Sequence, residues 1–116
     1  MKTSSAILNL DYLHLMTDGD PDMLRTMVRM LQAELPEAWA TIQSAHAKED
    51  WDAIQRTCHQ LKASLPFTGH QELEATNKAL ESAARLGKAG APAAGILLQT
   101  MAELIPAVVD ALQDLE

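Results

Sequence analysis

Residues 50–69 read DWDAIQRTCHQLKASLPFTG. Within this stretch Trp51, Ile54, Cys58, Leu61 and Leu65 recur at steps of three and four. That spacing lays one apolar stripe along a helix and does not fit the two-residue alternation of a half-buried strand. Asp50 offers an N-cap oxygen and Gly69 a stop. Pro66 lacks the N–H that an unbroken helix would bond one turn back, so the helix bends or shortens at its end. On a wheel of about 100° per residue, His59 falls roughly 120° from the centre of the stripe. It therefore lies on the flank, at or near the surface. Asp52, Arg56, Ala63 and Pro66 share its side, and Lys62 lies between it and the core.

Upstream, Gly19-Asp20-Pro21 combines a breaker, a good N-cap and a proline suited to a first helical turn. Beyond it Leu24, Met27, Val28, Leu31, Leu35, Ala38, Trp39 and Ile42 keep the helical period to about Ala47. Pro36 lies inside that run, which implies a bend or two helices in line. Ile7 to Met16 reads as a short extra helix laid across the others. Downstream, Leu73, Ala75 or Thr76, Ala79 or Leu80, Ala83 and Leu86 form a third run ending at Gly87. Gly87 to Pro92 is rich in Gly, Ala and Pro and reads as a hairpin loop. A last helix carries Ile96, Leu97, Met101, Leu104, Ile105, Val108, Leu112 and Leu115, with Pro106 as a kink.

Four amphipathic helices on short connections bury their stripes most economically as an antiparallel up-down-up-down bundle. The expected fold is thus all-α, with a short additional N-terminal helix, and 1–116 forms one domain. Composition agrees: 47% of the residues are hydrophobic but only 3% aromatic, so Leu, Ala, Met, Ile and Val must fill the core.

Sixteen acidic against nine basic residues leave a net charge of −7, which repels phosphate backbones and argues against nucleic-acid binding. Cys58 is the only cysteine, so no internal disulfide forms; a buried structural thiol in a reducing cytoplasm is the expectation. Met1 to Leu10 is too short and too weakly apolar for a signal peptide, and nothing later is expected to reach the length of a membrane span. His14, His46 and His70 sit on separate elements, none with the i, i+4 spacing of a helical metal site, and read as surface residues. There is no Gly-rich phosphate loop, nucleophile elbow or carboxylate pair around a cleft, hence no expected ATP site.

A lone surface histidine is usually no more than a polar residue. Here it stands in the run Cys58-His59-Gln60-Leu61-Lys62-Ala63-Ser64, followed by Gly69 ten positions after the histidine. This run resembles the phosphoacceptor motif of histidine-containing phosphotransfer (HPt) domains, the carriers of two-component phosphorelays. The resemblance extends to Gly19-Asp20-Pro21, to Glu49-Asp50-Trp51 leading into the histidine helix, and to Leu80-Glu81 on the next helix, nearly the whole chain. Two positions depart from the family pattern: Ala63, where most members have Gly, and Pro66, where a small non-proline residue is usual.

The resemblance implies that His59 is the phosphoacceptor, that Lys62 offsets phosphoryl charge, and that Ala63 keeps the surface low for a docking partner. It places Glu81 where the family often supplies a polar group, commonly Gln, to the ring nitrogen that is not phosphorylated. A solvent-facing glutamate is the plainer alternative, as a solvated lysine is for Lys62. Gln55, Arg56, Ala63 and Pro66, with Leu13 and Met16 of the short first helix, are the candidate docking residues; core contacts are the alternative for Leu13 and Met16. Ser64 is expected to cap or pack rather than react.

The implied role is a cytoplasmic, monomeric shuttle between response-regulator receiver domains and a hybrid sensor kinase. It has no cofactor of its own, Mg²⁺ belonging to the receiver. With no nucleotide-binding domain it is not an autokinase, and no membrane or nucleic acid is expected as a partner. A helical module that only binds a protein partner is the rival from a different class, and a phosphohistidine phosphatase or kinase fragment is a third.

Overall fold

A computed structural model describes residues 7–115; the first six residues of the Met1–Leu10 stretch, and Glu116, lie outside them. The described residues are mostly helical, with five α-helices: α1 Asp11–Met16, α2 Pro21–Ala47, α3 Trp51–Ser64, α4 Gln71–Arg85 and α5 Ala91–Gln113. Short 3-10 turns at Leu65–Thr68 and Gly87–Gly90 follow α3 and α4. The longest dimension, 45 Å, is set by α2, whose 27 residues span about 40 Å at about 1.5 Å per residue.

The starts of the helices follow from their side chains. Asp20 accepts from the N–H groups of Asp22 and Met23, with Pro21 opening α2, and Asp50 accepts from Ala53 N–H at 3.1 Å. α4 is capped by His70, whose Nδ1 accepts from Leu73 N–H at 3.0 Å. His70 therefore does structural work rather than simply standing at the surface. Pro36 and Pro106 both lie within continuous helices, on exposed faces where water can meet the carbonyl each leaves unbonded. Pro66 does end a helix: α3 stops at Ser64 and tightens into the 3-10 turn.

α3 packs on α2 and α4, α4 on α5, and α5 closes back on α2. The shared core takes Val28, Leu31, Leu35 and Ile42 from α2, Ile54, Cys58 and Leu61 from α3, and Leu73, Leu80, Ala83 and Ala84 from α4. From α5 come Ala94, Leu98, Met101, Ile105, Val108 and Leu112, a strict four-three alternation that keeps one seam facing the other helices.

Several sequence expectations are corrected. Ile7–Leu10 is not helical: Leu8 and Leu10 are buried, and the segment is held by Asn9 N–H donating to the Thr68 carbonyl. Gly69 adopts φ +65, and a Cβ there would sit 2.1 Å from the Asn9 carbonyl oxygen, so this close approach requires glycine. Gly87–Pro92 is not an open loop, because α5 begins at Ala91 with Pro92 in its first turn. Leu86 and Ile96 are each 67% exposed and stand off the core. Finally, a segment long and apolar enough to cross a membrane does exist: residues 87–113, whose apolar 18-residue window has a mean hydropathy of 1.5. Its Ala94 to Leu112 seam is buried in the bundle.

Candidate functional site

Near the middle of α3, the buried Cys58 and the exposed His59 point in different directions because successive helical residues are about 100° apart. The His59 side chain is 70% exposed, as its position on the wheel implies. Its Nδ1 lies 3.0 Å from Oε2 of Glu81 on α4. Glu81 does not face solvent: it is 5% exposed, and its second partner is Arg85, one turn further along α4, with Nη2 at 3.2 Å from the same oxygen.

Burying a carboxylate is costly unless donors compensate it, and here an imidazole and a guanidinium both do. An ionised carboxylate only accepts hydrogen bonds. The neutral His59 ring therefore carries its proton on Nδ1, donated to Glu81, and directs the lone pair of Nε2 away from the protein. The result is a nucleophilic nitrogen with a fixed orientation.

An open recess beside the ring is lined by Asp52, Gln55, Arg56, Gln60 and Arg85. Arg56 and Lys62 are exposed one turn before and one turn after His59 on α3. Neither side chain makes a hydrogen bond or ion pair with another described residue. Ala63 is exposed one turn beyond His59, leaving the surface on that side low. Ser64 donates to Glu34 Oε1 at 2.7 Å, tying the end of α3 to α2 as a packing residue does.

Behind the ring, Asn77 of α4 donates from Nδ2 to the Cys58 carbonyl at 2.9 Å and fixes the two helices in register. Burial, with the charge of Glu81 adding to it, pushes the Cys58 thiol up to about 12. A thiol with its pKa raised on folding stabilises the fold fully below the unfolded value near 9, and that contribution is lost as pH rises from about 9 towards 12. We expect Cys58 to resist alkylation by iodoacetamide at about pH 8 until denaturant is added. Rapid native-state labelling would contradict its placement.

The docking candidates separate. Gln55 and Arg56 join His59 in the recess, Ala63 is exposed, and Pro66 is half-buried in the 3-10 turn. Met16 is 54% exposed. Leu13 is fully buried and is removed from the docking set: it lies on the inward side of α1, one turn before the buried Thr17. α1 is held beyond the end of α3, where Tyr12 stacks on Phe67 with ring centroids 5.3 Å apart.

Arg85 and Asn77 are the site residues that sequence reasoning passed over. The i, i+4 spacing of Glu81 and Arg85 was the available signal for the first. For Asn77 it was the three-residue step to Leu80, which puts it on the buried face of α4.

No significant match was found among curated proteins or among solved structures. The Hpt domain family model matches residues 26–115, which include α3, α4, α5 and most of α2. Hpt domains are phosphotransfer modules rather than kinases, and they work with the receiver domains of two-component phosphorelays. With a match over most of its length, and with an exposed histidine oriented by a buried polar partner on the next helix, the chain belongs to the Hpt domain family of phosphorelay carriers.

Proposed function

We propose that His59 accepts a phosphoryl group on Nε2 from the aspartyl phosphate of a receiver domain and passes it to the aspartate of another. The observation that carries this reading is the 3.0 Å contact from His59 Nδ1 to the buried Glu81, which leaves Nε2 as the outward nucleophile. The Nε2 lone pair attacks phosphorus in line, the P–O bond to the aspartate breaks, and its electron pair stays on the departing carboxylate. No general base is needed, because the neutral ring has no proton on the attacking nitrogen. Glu81 balances the positive charge that the ring acquires.

Lys62 and Arg56, whose side chains have no hydrogen-bond or ion-pair partner among the described residues, reach for the phosphoryl oxygens, and Arg85 borders the same recess. Mg²⁺ is held by the receiver's acidic pocket. Gln55, Arg56, Ala63, Pro66 and Met16 receive the rim of that domain. The carrier works as a cytoplasmic monomer on an up-down-up-down bundle, between receivers and a hybrid sensor kinase. The order of contacts, α2 on α3, α3 on α4, α4 on α5 and α5 on α2, supports that topology.

The test is a round trip: incubation with a phosphorylated receiver, then addition of a second, unphosphorylated one. Phosphate is expected on this chain and then on the second receiver. If the chain stays unlabelled while another Hpt domain accepts phosphate from the same donor, it is a binding module and not a carrier. We expect Lys62→Ala to slow transfer about tenfold, equivalent to about 1.4 kcal/mol, without abolishing it. Its stability should stay within about 0.5 kcal/mol, since Lys62 is exposed. Unchanged transfer kinetics would remove Lys62 from the site.

A further inference from the structure

Resting on His59 as the phosphoacceptor, we propose that Glu81 holds phosphorylated His59 as an Nδ1-protonated phosphoimidazolium, a form ready to donate its phosphoryl group. The proposal concerns the phosphorylated state, and the choice of a carboxylate at position 81 decides it.

Once Nε2 has given its lone pair to phosphorus, Nδ1 has two options. It can lose its proton, leaving a neutral ring whose lone pair points at Glu81 Oε2, or keep the proton on a cationic ring. A carboxylate has no hydrogen to offer. At 3.0 Å, with Glu81 5% exposed, a lone pair facing that oxygen is repulsive in a poorly solvated setting, whereas N–H⁺ facing it is a charge-assisted hydrogen bond. Arg85, bound to the same oxygen at 3.2 Å, keeps the carboxylate where it is. A glutamine at 81 would be indifferent, accepting from N–H through its oxygen or donating to a bare nitrogen through its NH₂.

The consequence lies in bond breaking. When a receiver carboxylate attacks phosphorus, the P–N electron pair returns to Nε2. From the cation the departing group is neutral imidazole with its proton still on Nδ1 and still bonded to Glu81, which is the resting state. From the neutral ring it would be an imidazolide anion, a much poorer leaving group. With Glu81 in place no proton enters or leaves in either direction of transfer.

The other charges beside the ring are Asp52 and Arg56 on α3 and Arg85 on α4, which line the recess with it, and Lys62 one turn further along α3; the Cys58 thiol lies behind. Among the described residues only Glu81 is hydrogen-bonded to the ring.

The test uses the whole chain with ¹⁵N-labelled histidine, phosphorylated chemically with phosphoramidate so that no receiver is involved. In the wild type, the Nδ1 shift of phospho-His59 should remain that of a protonated nitrogen at about pH 8. Glu81→Gln should lose this proton at lower pH and lengthen the phosphohistidine lifetime about tenfold or more, one pH unit of protonation being worth a factor of ten. An unprotonated Nδ1 in the phosphorylated wild type at about pH 8 would overturn the proposal, as would coincident pH profiles for the two proteins. A chemically phosphorylated protein that shows the protonated Nδ1 but exchanges phosphate with no receiver would sink the carrier reading and leave this one standing.

Discussion

His59→Gln is expected to abolish phosphoryl acceptance while leaving the bundle folded. Glutamine has no nitrogen lone pair able to attack phosphorus, because its amide nitrogen is delocalised into the carbonyl, so the loss should be complete rather than graded. The structural cost is small for two reasons. The His59 side chain is 70% exposed, so little packing goes with it. The new amide can still donate to Glu81, so the buried carboxylate is not stripped of a partner. Thermal stability should change by no more than about 1 kcal/mol. The check pairs incubation with a phosphorylated receiver and a melting curve on the same preparation. Labelling that persists in a folded variant would move the site elsewhere.

A large structural effect is expected at Gly90. Alanine there would place a Cβ 2.0 Å from the Ala83 carbonyl oxygen and 2.8 Å from its carbon, both backbone atoms that no rotamer change can move. Helices α4 and α5 must separate, and we expect Gly90→Ala to cost about 3 kcal/mol, at the upper end for overpacking. Ala83 lies two residues beyond Glu81, so the same displacement should disturb the His59–Glu81 contact and slow transfer. Gly95→Ala is the matched control: nothing lies within 4 Å of its added Cβ, and in a helix interior it should stabilise by about 0.5–1 kcal/mol. Urea denaturation of the two variants checks both signs, and equal midpoints would contradict the close α4–α5 approach.

Gly90 also shows where sequence reading stops. The caps at Asp20 and Asp50 and the stripes of α2 and α3 were legible, because they depend on residues a few positions apart. The start of α5 was not, since Gly, Ala and Pro in a row carry turn chemistry. Here Gly90 serves a close contact with Ala83, seven residues back, and Pro92 sits harmlessly in a first turn. Leu13 went wrong because Tyr12, Leu13, Leu15 and Met16 are all apolar or aromatic and so short a helix does not say which of them faces inward; the docking of α1 against the end of α3, with Asn9 N–H donating to the Thr68 carbonyl, makes that choice.

The site followed the same logic. His59 and its flank position were readable from α3 alone, and the family resemblance gave it a role. Whether Glu81 faced water or the imidazole depended on how α4 packs against α3. That rotation is set partly by Asn77 reaching the Cys58 carbonyl, a pairing across nineteen residues that spacing does not reveal.

The most direct measurement is NMR of the ¹⁵N-histidine-labelled chain after transfer from a phosphorylated receiver. A one-bond ³¹P coupling is predicted on Nε2 of His59, with Nδ1 still donating to Glu81. Phosphate on Nδ1 of His59, on another residue, or nowhere on a chain that binds the receiver would contradict it.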